Sequence, residues 1–99
     1  MLLRWFDSRE AVALAKIVAE ELNTKFPPES VLEPGKLARP KDLKKFERIL
    51  ERIITFAKEK RLNFYLKSRL LNTLMWELKD RGYNETFVKR LIENITLRL

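Results

Sequence analysis

Four basic residues recur along one predicted helix at a spacing that could place them against phosphates. Lys41, Lys45, Arg48 and Arg52 are separated by four, three and four positions, so they share one helical face. The row is about 16 Å long at about 1.5 Å of rise per residue. Like charges at these spacings repel each other, and phosphate contact, which releases counterions, is a reason for such a row. We therefore predict a phosphate-contacting ridge. The alternative is a solvated face whose charge is balanced by acidic residues on other helices.

A second row combines two aromatic rings with a cation and lies opposite a leucine-rich arc. It consists of Tyr65, Arg69, Asn72 and Trp76. Aromatic rings outside a core can stack on a protein partner or on bases, and Arg69 adds charge beside them. We predict that this row is a partner-binding face. The alternative is that other parts of the chain cover Trp76, which would make it a core residue.

The residue types of common catalytic and metal sites are scarce in this chain. There is no cysteine and no histidine, so disulfides, thiol nucleophiles and the commonest general base near neutral pH are missing. Carboxylates at one-turn spacing, such as Glu47 and Glu51, occur, but the Glu-x-x-His ligands of a helical di-iron site require histidine. We therefore expect no enzyme activity, no cofactor and no metal site.

The length and the net charge of the chain limit which class of protein it can be and which partners it can have. Ninety-nine residues with 45% hydrophobic and 35% charged side chains are typical of one folded domain. The net charge of +7 favours an acidic partner. We expect a protein partner or a homodimer first and nucleic acid as the alternative. A membrane surface is disfavoured because acidic residues interrupt the polar side of the second helix. The apolar start, residues 1–6, is too short for a signal-peptide core or a membrane span, so the expected compartment is cytoplasmic.

Helical periodicity dominates the chain and predicts the fold class. Helices are expected near residues 8–24, 41–61, 63–81 and 84–97. We expect an all-α fold, a compact four-helix domain in which helices two and three form a long antiparallel hairpin. The alanines of the first helix, which Asp7 and Glu10 are predicted to cap, leave room for a close neighbour.

The connection between the first two helices is predicted to be an ordered crossover. All four prolines lie within residues 27–40. A flexible linker would not also carry Val31, Leu32 and Leu37.

The second helix is the clearest amphipathic segment, and its end is less sharply defined. Its predicted core arc starts at Leu43, and the arc of the third helix starts at Phe64. Asn63 is a plausible cap for the third helix, but no glycine or proline enforces the break before it. Two helices are therefore expected, with one bent helix over residues 40–81 as the alternative.

The corner between the last two helices carries several helix-end signals. Gly82 suits a left-handed position after a helix, Asn84 suits the next cap, and Tyr83 can pack on Val88. Such a corner belongs either to a bundle or to a DNA-reading helix-turn-helix. Leu78 is too bulky for the close approach that the second motif needs, so we favour the bundle.

A resemblance to a known family is confined to this corner. Residues 78–83, followed by Phe87 and Val88, resemble the pattern of helix-end and helix-start residues in the three-helix repeat of RecX-type recombination regulators. No residue role is carried over from that resemblance.

Overall fold

Four α-helices make up the fold, seen here in a computed structural model that describes the backbone of residues 3–31 and 40–99 and the side chains of residues 9–31 and 41–99. In chain order they are α1 (Leu3–Lys25), α2 (Pro40–Glu59), α3 (Phe64–Asp80) and α4 (Glu85–Arg98). A 3-10 helix, Pro28–Val31, follows α1. The described residues contain no strand. The prediction of an all-α, four-helix domain is confirmed.

The first helix is longer than its sequence signals predicted. It begins at Leu3, so Asp7 lies inside the helix and the predicted cap at Asp7 is wrong. No glycine or proline interrupts residues 3–7, and the helix therefore continues past the acidic residue that was expected to begin it. Val31, in the part of the predicted crossover that the structure describes, is buried. Leu32 and Leu37 lie outside the described residues.

The helices pack in a ring in which α1 and α3 are neighbours and run parallel. Their backbones approach each other over a longer stretch than those of any other pair in the described chain. α2 runs antiparallel to α1, since Lys60 bonds Glu10 while Arg52 bonds Glu21. α2 and α3 are not among the closely packed pairs. Helices two and three are thus antiparallel, as predicted, but they do not pack closely as a hairpin, because α1 occupies the position beside α3.

A stripe of small residues on α1 permits this close approach. Ala11, Ala15 and Ala19 are completely buried, as are Val18 and Leu22 on the same side of the helix. Alanine adds one methyl group to the backbone, so a helix that presents alanines can be approached closely by leucine side chains. The leucines of α3 that enter this core are Leu66, Leu70, Leu74 and Leu78. A close-packed α1–α3 pair is thus the centre of the domain.

Two residues predicted for the core lie at its edge. Leu43 is 43% exposed and Phe64 is 85% exposed. Both stand in the first turn of their helices. A helical wheel assigns them to the core arc, but it carries no information on where a helix extends beyond the side chains of its neighbours.

The corners after α2 and α3 share one backbone motif. After α3, Tyr83 N–H donates to Leu78 O at 3.2 Å, and Gly82 N–H donates to Lys79 O at 3.1 Å. Gly82 takes the left-handed position at φ +95°. After α2, Leu62 N–H donates to Ala57 O at 3.1 Å while Arg61 takes the left-handed position at φ +50°. This is the Schellman arrangement, which satisfies the last carbonyls of a helix. α2 and α3 are therefore two separate helices, as predicted.

The next helices begin at side-chain caps that the sequence predicted. Asn63 Oδ1 accepts a hydrogen bond from Leu66 N–H at 2.9 Å, and Asn84 Oδ1 accepts one from Phe87 N–H at 2.8 Å. Each cap satisfies a backbone donor that the first helical turn leaves unpaired. The positions of both corners are thus specified locally.

Tyr83 ties the second corner to the end of α1. Its hydroxyl donates to Phe26 O at 2.6 Å, and its ring stacks on Phe87 with centroids 5.4 Å apart. Burial of the ring raises the pKa of Tyr83 to about 12. The corner therefore folds α4 back onto the core.

We predict that Arg61→Gly stabilises the protein by about 0.5–1 kcal/mol, because a left-handed conformation is unfavourable for an L side chain. Gly82→Ala, at the equivalent position after α3, should instead lower the free energy of unfolding by about 1 kcal/mol or more. Chemical denaturation of both variants checks the pair. A destabilised Arg61→Gly would show that the arginine side chain matters more than its backbone conformation.

Candidate functional site

The outer side of α3 presents two large aromatic side chains to solvent. Tyr65 is 57% exposed and Trp76 is 64% exposed. Arg69 and Asn72 lie between them on the same stripe and are also exposed. The eleven positions from Tyr65 to Trp76 correspond to about 16 Å along the helix. We call these four residues the α3 face. The structure brings all of them together on one surface.

The α3 face continues onto the neighbouring helix α1. Arg69 shares a shallow groove of about 330 Å³ with residues of α1. The α1 residues in this groove are Arg9, Val12, Ala13 and Lys16. Within residues 9–31 and 41–99, none of the three cations in the groove forms an ion pair. The groove therefore combines a small apolar floor with three uncompensated positive charges.

Acidic residues surround the other end of the same surface. Arg81 bonds Glu77 at 2.5 Å and Glu20 at 2.9 Å, which links the ends of α3 and α1. The hydrogen bonds with Glu77, and then those with Glu20, raise the pKa of Arg81 above its ordinary value. Asp80 is exposed there and has no ion pair among the described residues. The surface is thus positive near Arg69, and beyond Trp76 acidic and basic side chains alternate.

Lys79 contacts the ring of Trp76 from the same helix. Lys79 Nζ lies 5.5 Å from the centre of the indole ring, a cation–π contact between residues three positions apart. The contact covers part of the ring with a flexible side chain. A partner could displace that side chain without disturbing the core.

The predicted basic ridge on α2 is exposed, but its four members differ in their contacts. Lys41, Lys45 and Arg48 form no ion pair within the part of the chain that the structure describes. Arg52 bonds Glu21 of α1. The alternative interpretation, in which acidic residues of other helices balance the charge of the row, therefore applies to Arg52 only.

A groove of about 600 Å³ runs beside the ridge, between α1 and α2. Basic residues of the ridge line it together with Glu21 and Asp42. Two carboxylates in the lining reduce the attraction of the groove for a polyanion. Lys45 and Arg48 line this groove and are exposed.

Sequence reasoning missed the contribution of α1 to the α3 face. Arg9, Ala13, Lys16 and Glu20 follow one another at spacings of four, three and four, the same spacing as the residues of the α3 face. That repeat was visible in the sequence. Nothing in the sequence showed that α1 lies beside α3, however, so the two stripes could not be joined into one surface.

Across the described residues, no group of three or more acidic side chains could hold a metal ion. No helix in the described ranges is both long enough and apolar enough to cross a lipid bilayer.

No protein-family model, no curated protein and no solved structure shows significant similarity to this chain.

Proposed function

We propose that this chain is a non-catalytic protein-interaction module that binds its partner through the α3 face. The observation that carries the proposal is the exposure of Tyr65 and Trp76 on either side of Arg69. Trp, Tyr and Arg are the residue types that contribute most to binding energy at protein interfaces. A soluble domain gains nothing in folding stability from large rings that stay in water.

The shape of the surface also supports a protein partner. The α3 face lies on the outside of a helix, and the groove beside it has a floor of Val12 and Ala13. A floor of small apolar residues between two parallel helices suits the side chains of another helix. The rings of Tyr65 and Trp76 would then add area on one flank of that contact.

The proposal predicts that Trp76→Ala removes binding and leaves stability almost unchanged. Peptides selected from a random display library against the immobilised full chain should bind the variant at least about tenfold more weakly, because a central aromatic contact is lost. The free energy of unfolding, measured in dilute solution, should change by no more than about 0.5 kcal/mol.

A matched control is available on α4. Leu97 is 88% exposed and lies outside the α3 face, so Leu97→Ala should change peptide affinity by less than about twofold. Peptides that bind wild type and Trp76→Ala equally would contradict the proposal. A loss of about 3 kcal/mol of stability in Trp76→Ala would instead assign the ring to the core.

Binding of nucleic acid by the ridge is a second candidate function, supported by a different observation. Lys41, Lys45 and Arg48 are exposed along one side of α2 and have no ion pair within the described ranges. Three adjacent cations can neutralise phosphates and release counterions. Arg52 is not included, because Glu21 already balances its charge.

For this second candidate, duplex DNA should bind with a salt dependence that corresponds to three contacts. The logarithm of the association constant should fall against the logarithm of salt concentration with a slope of about −2.7. Charge reversal of Lys45 and Arg48 together should abolish binding, whereas Arg52→Ala should leave the slope unchanged. No detectable binding at low salt removes this function from consideration.

A further inference from the structure

Three cations meet in the groove between α1 and α3 and have no acidic partner in the described part of the chain. Arg9 and Lys16 line the groove from α1, and Arg69 lines it from α3. None of the three forms an ion pair with residues 9–31 or 41–99. Cations that share one concave surface raise the local concentration of anions. The groove therefore attracts a negatively charged segment.

The lining of this groove differs from that of two other grooves in containing no carboxylate. The groove between α1 and α2 includes Glu21 and Asp42. The groove beside Ile17, of about 450 Å³, includes Glu20 and Glu21. Like charges that face each other across an interface weaken binding. Of these three grooves, the one between α1 and α3 is thus the best suited to an anion.

The spacing of the three cations matches the spacing of side chains on a helix. Arg9 and Lys16 are seven residues apart, which is two turns or about 10 Å along α1. Arg69 faces the same groove from the neighbouring helix. A helix that lies along the groove has the same rise per residue as α1. Acidic residues at positions i, i+3 or i+4, and i+7 of such a helix can therefore meet all three cations.

The apolar parts of the surface suit the same kind of partner. Val12 and Ala13 form the floor of the groove, and small apolar residues allow another helix to approach closely. Tyr65 and Trp76 stand about 16 Å apart along α3. A helix of about 12–16 residues covers that distance, so its apolar side can contact the floor and both rings.

The charges beyond Trp76 favour a peptide over a nucleic acid. Glu77 and Glu20 lie there beside Arg81, and the side chain of Glu20 is 68% exposed. A phosphate chain that contacted Trp76 as well as Arg69 would pass these carboxylates. A peptide can be acidic over the groove and neutral or basic further on.

We propose that the partner bound at the α3 face is an acidic amphipathic helix whose carboxylates pair with Arg9, Lys16 and Arg69. This inference rests on the proposed function and specifies the chemistry of the partner. The acidic residues of the helix lie over the groove, and its apolar side packs on Val12 and on the ring of Trp76.

The composition of selected peptides tests the inference. Random 16-residue peptides are displayed, selected against the immobilised full chain, and sorted by whether their binding is lost in Trp76→Ala. The peptides that require Trp76 should be acidic and should share at least three Glu or Asp residues within two helical turns. Peptides that require Trp76 but show no acidic excess would overturn the inference and leave the interaction module intact.

A pair of double variants with equal net charge separates the groove from the charge of the whole chain. Lys16→Glu with Arg69→Glu should weaken the binding of a selected acidic peptide at least about tenfold. The matched control is Lys89→Glu with Arg90→Glu. These two residues are exposed on α4, are outside the groove and form no ion pair among the described residues. The control should change affinity by less than about twofold, because charges more than about 8 Å away are screened at physiological salt. Equal weakening by both double variants would contradict a specific site.

A charge exchange distinguishes lost contacts from lost folding. The same peptide with Lys in place of each acidic residue should bind the groove variant at least about fivefold more tightly than it binds wild type. A lysine peptide that binds the groove variant no better than wild type would contradict the pairing. Helix content by circular dichroism checks that each variant is folded. If the groove variant does not fold, Lys16→Gln with Arg69→Gln replaces it and should weaken the acidic peptide at least about threefold.

Two other occupants of the face are outcomes of the same measurements. A single-stranded oligothymidylate of about 20 nucleotides that displaces the acidic peptide, and binds more tightly than the peptide, would make nucleic acid the ligand. Sedimentation equilibrium that shows a dimer of wild type, lost in the groove variant, would make a second copy the occupant. Either result overturns the acidic helix. A selection that yields no peptide dependent on Trp76 contradicts the proposed function itself.

Discussion

The close approach of α1 and α3 is the constraint on which the rest of the structure depends. Ala11, Ala15 and Ala19 are completely buried on one side of α1, and the leucines of α3 fill the space beside them. Because alanine occupies so little space, the two backbones come near each other along most of their length. α2 and α4 then pack on the sides that remain. α4 is linked to α2 by Arg98, which bonds Glu47 at 2.8 Å and Glu51 at 2.7 Å.

The candidate binding surface is a consequence of that pairing. A helix that packs through its leucines must present its opposite side to solvent, and on α3 that side carries Tyr65, Arg69 and Trp76. The parallel neighbour adds Arg9 and Lys16 at one end and Glu20 at the other. With α2 in the place of α1, the same aromatic residues would have had other charges beside them. The charge pattern of the face thus derives from the alanines of α1.

Local signals in the sequence predicted the boundaries of the last three helices well but missed the start of α1. Long-range packing was not predictable from them. The caps at Asn63 and Asn84 and the turn at Gly82 depend on hydrogen bonds within a few residues, so the residue types alone specify them. The neighbour of α3 depends on how four helices share one core. Periodicity shows which side of a helix is apolar but not which helix covers it, so the close packing of helices two and three against each other was predicted wrongly. The α3 face was identified as a stripe, and its partner stripe on α1 was missed for the same reason.

The most direct test of the account is the free energy of unfolding of Ala15→Leu compared with that of Ala13→Leu. The two substitutions are chemically identical and lie two positions apart on α1, but Ala15 is completely buried and Ala13 is exposed. If the α1–α3 contact depends on small side chains, Ala15→Leu should lower the free energy of unfolding by about 1–3 kcal/mol. Ala13→Leu should change it by no more than about 0.5 kcal/mol. Equal stability of the two variants, or a more stable Ala15→Leu, would contradict the account.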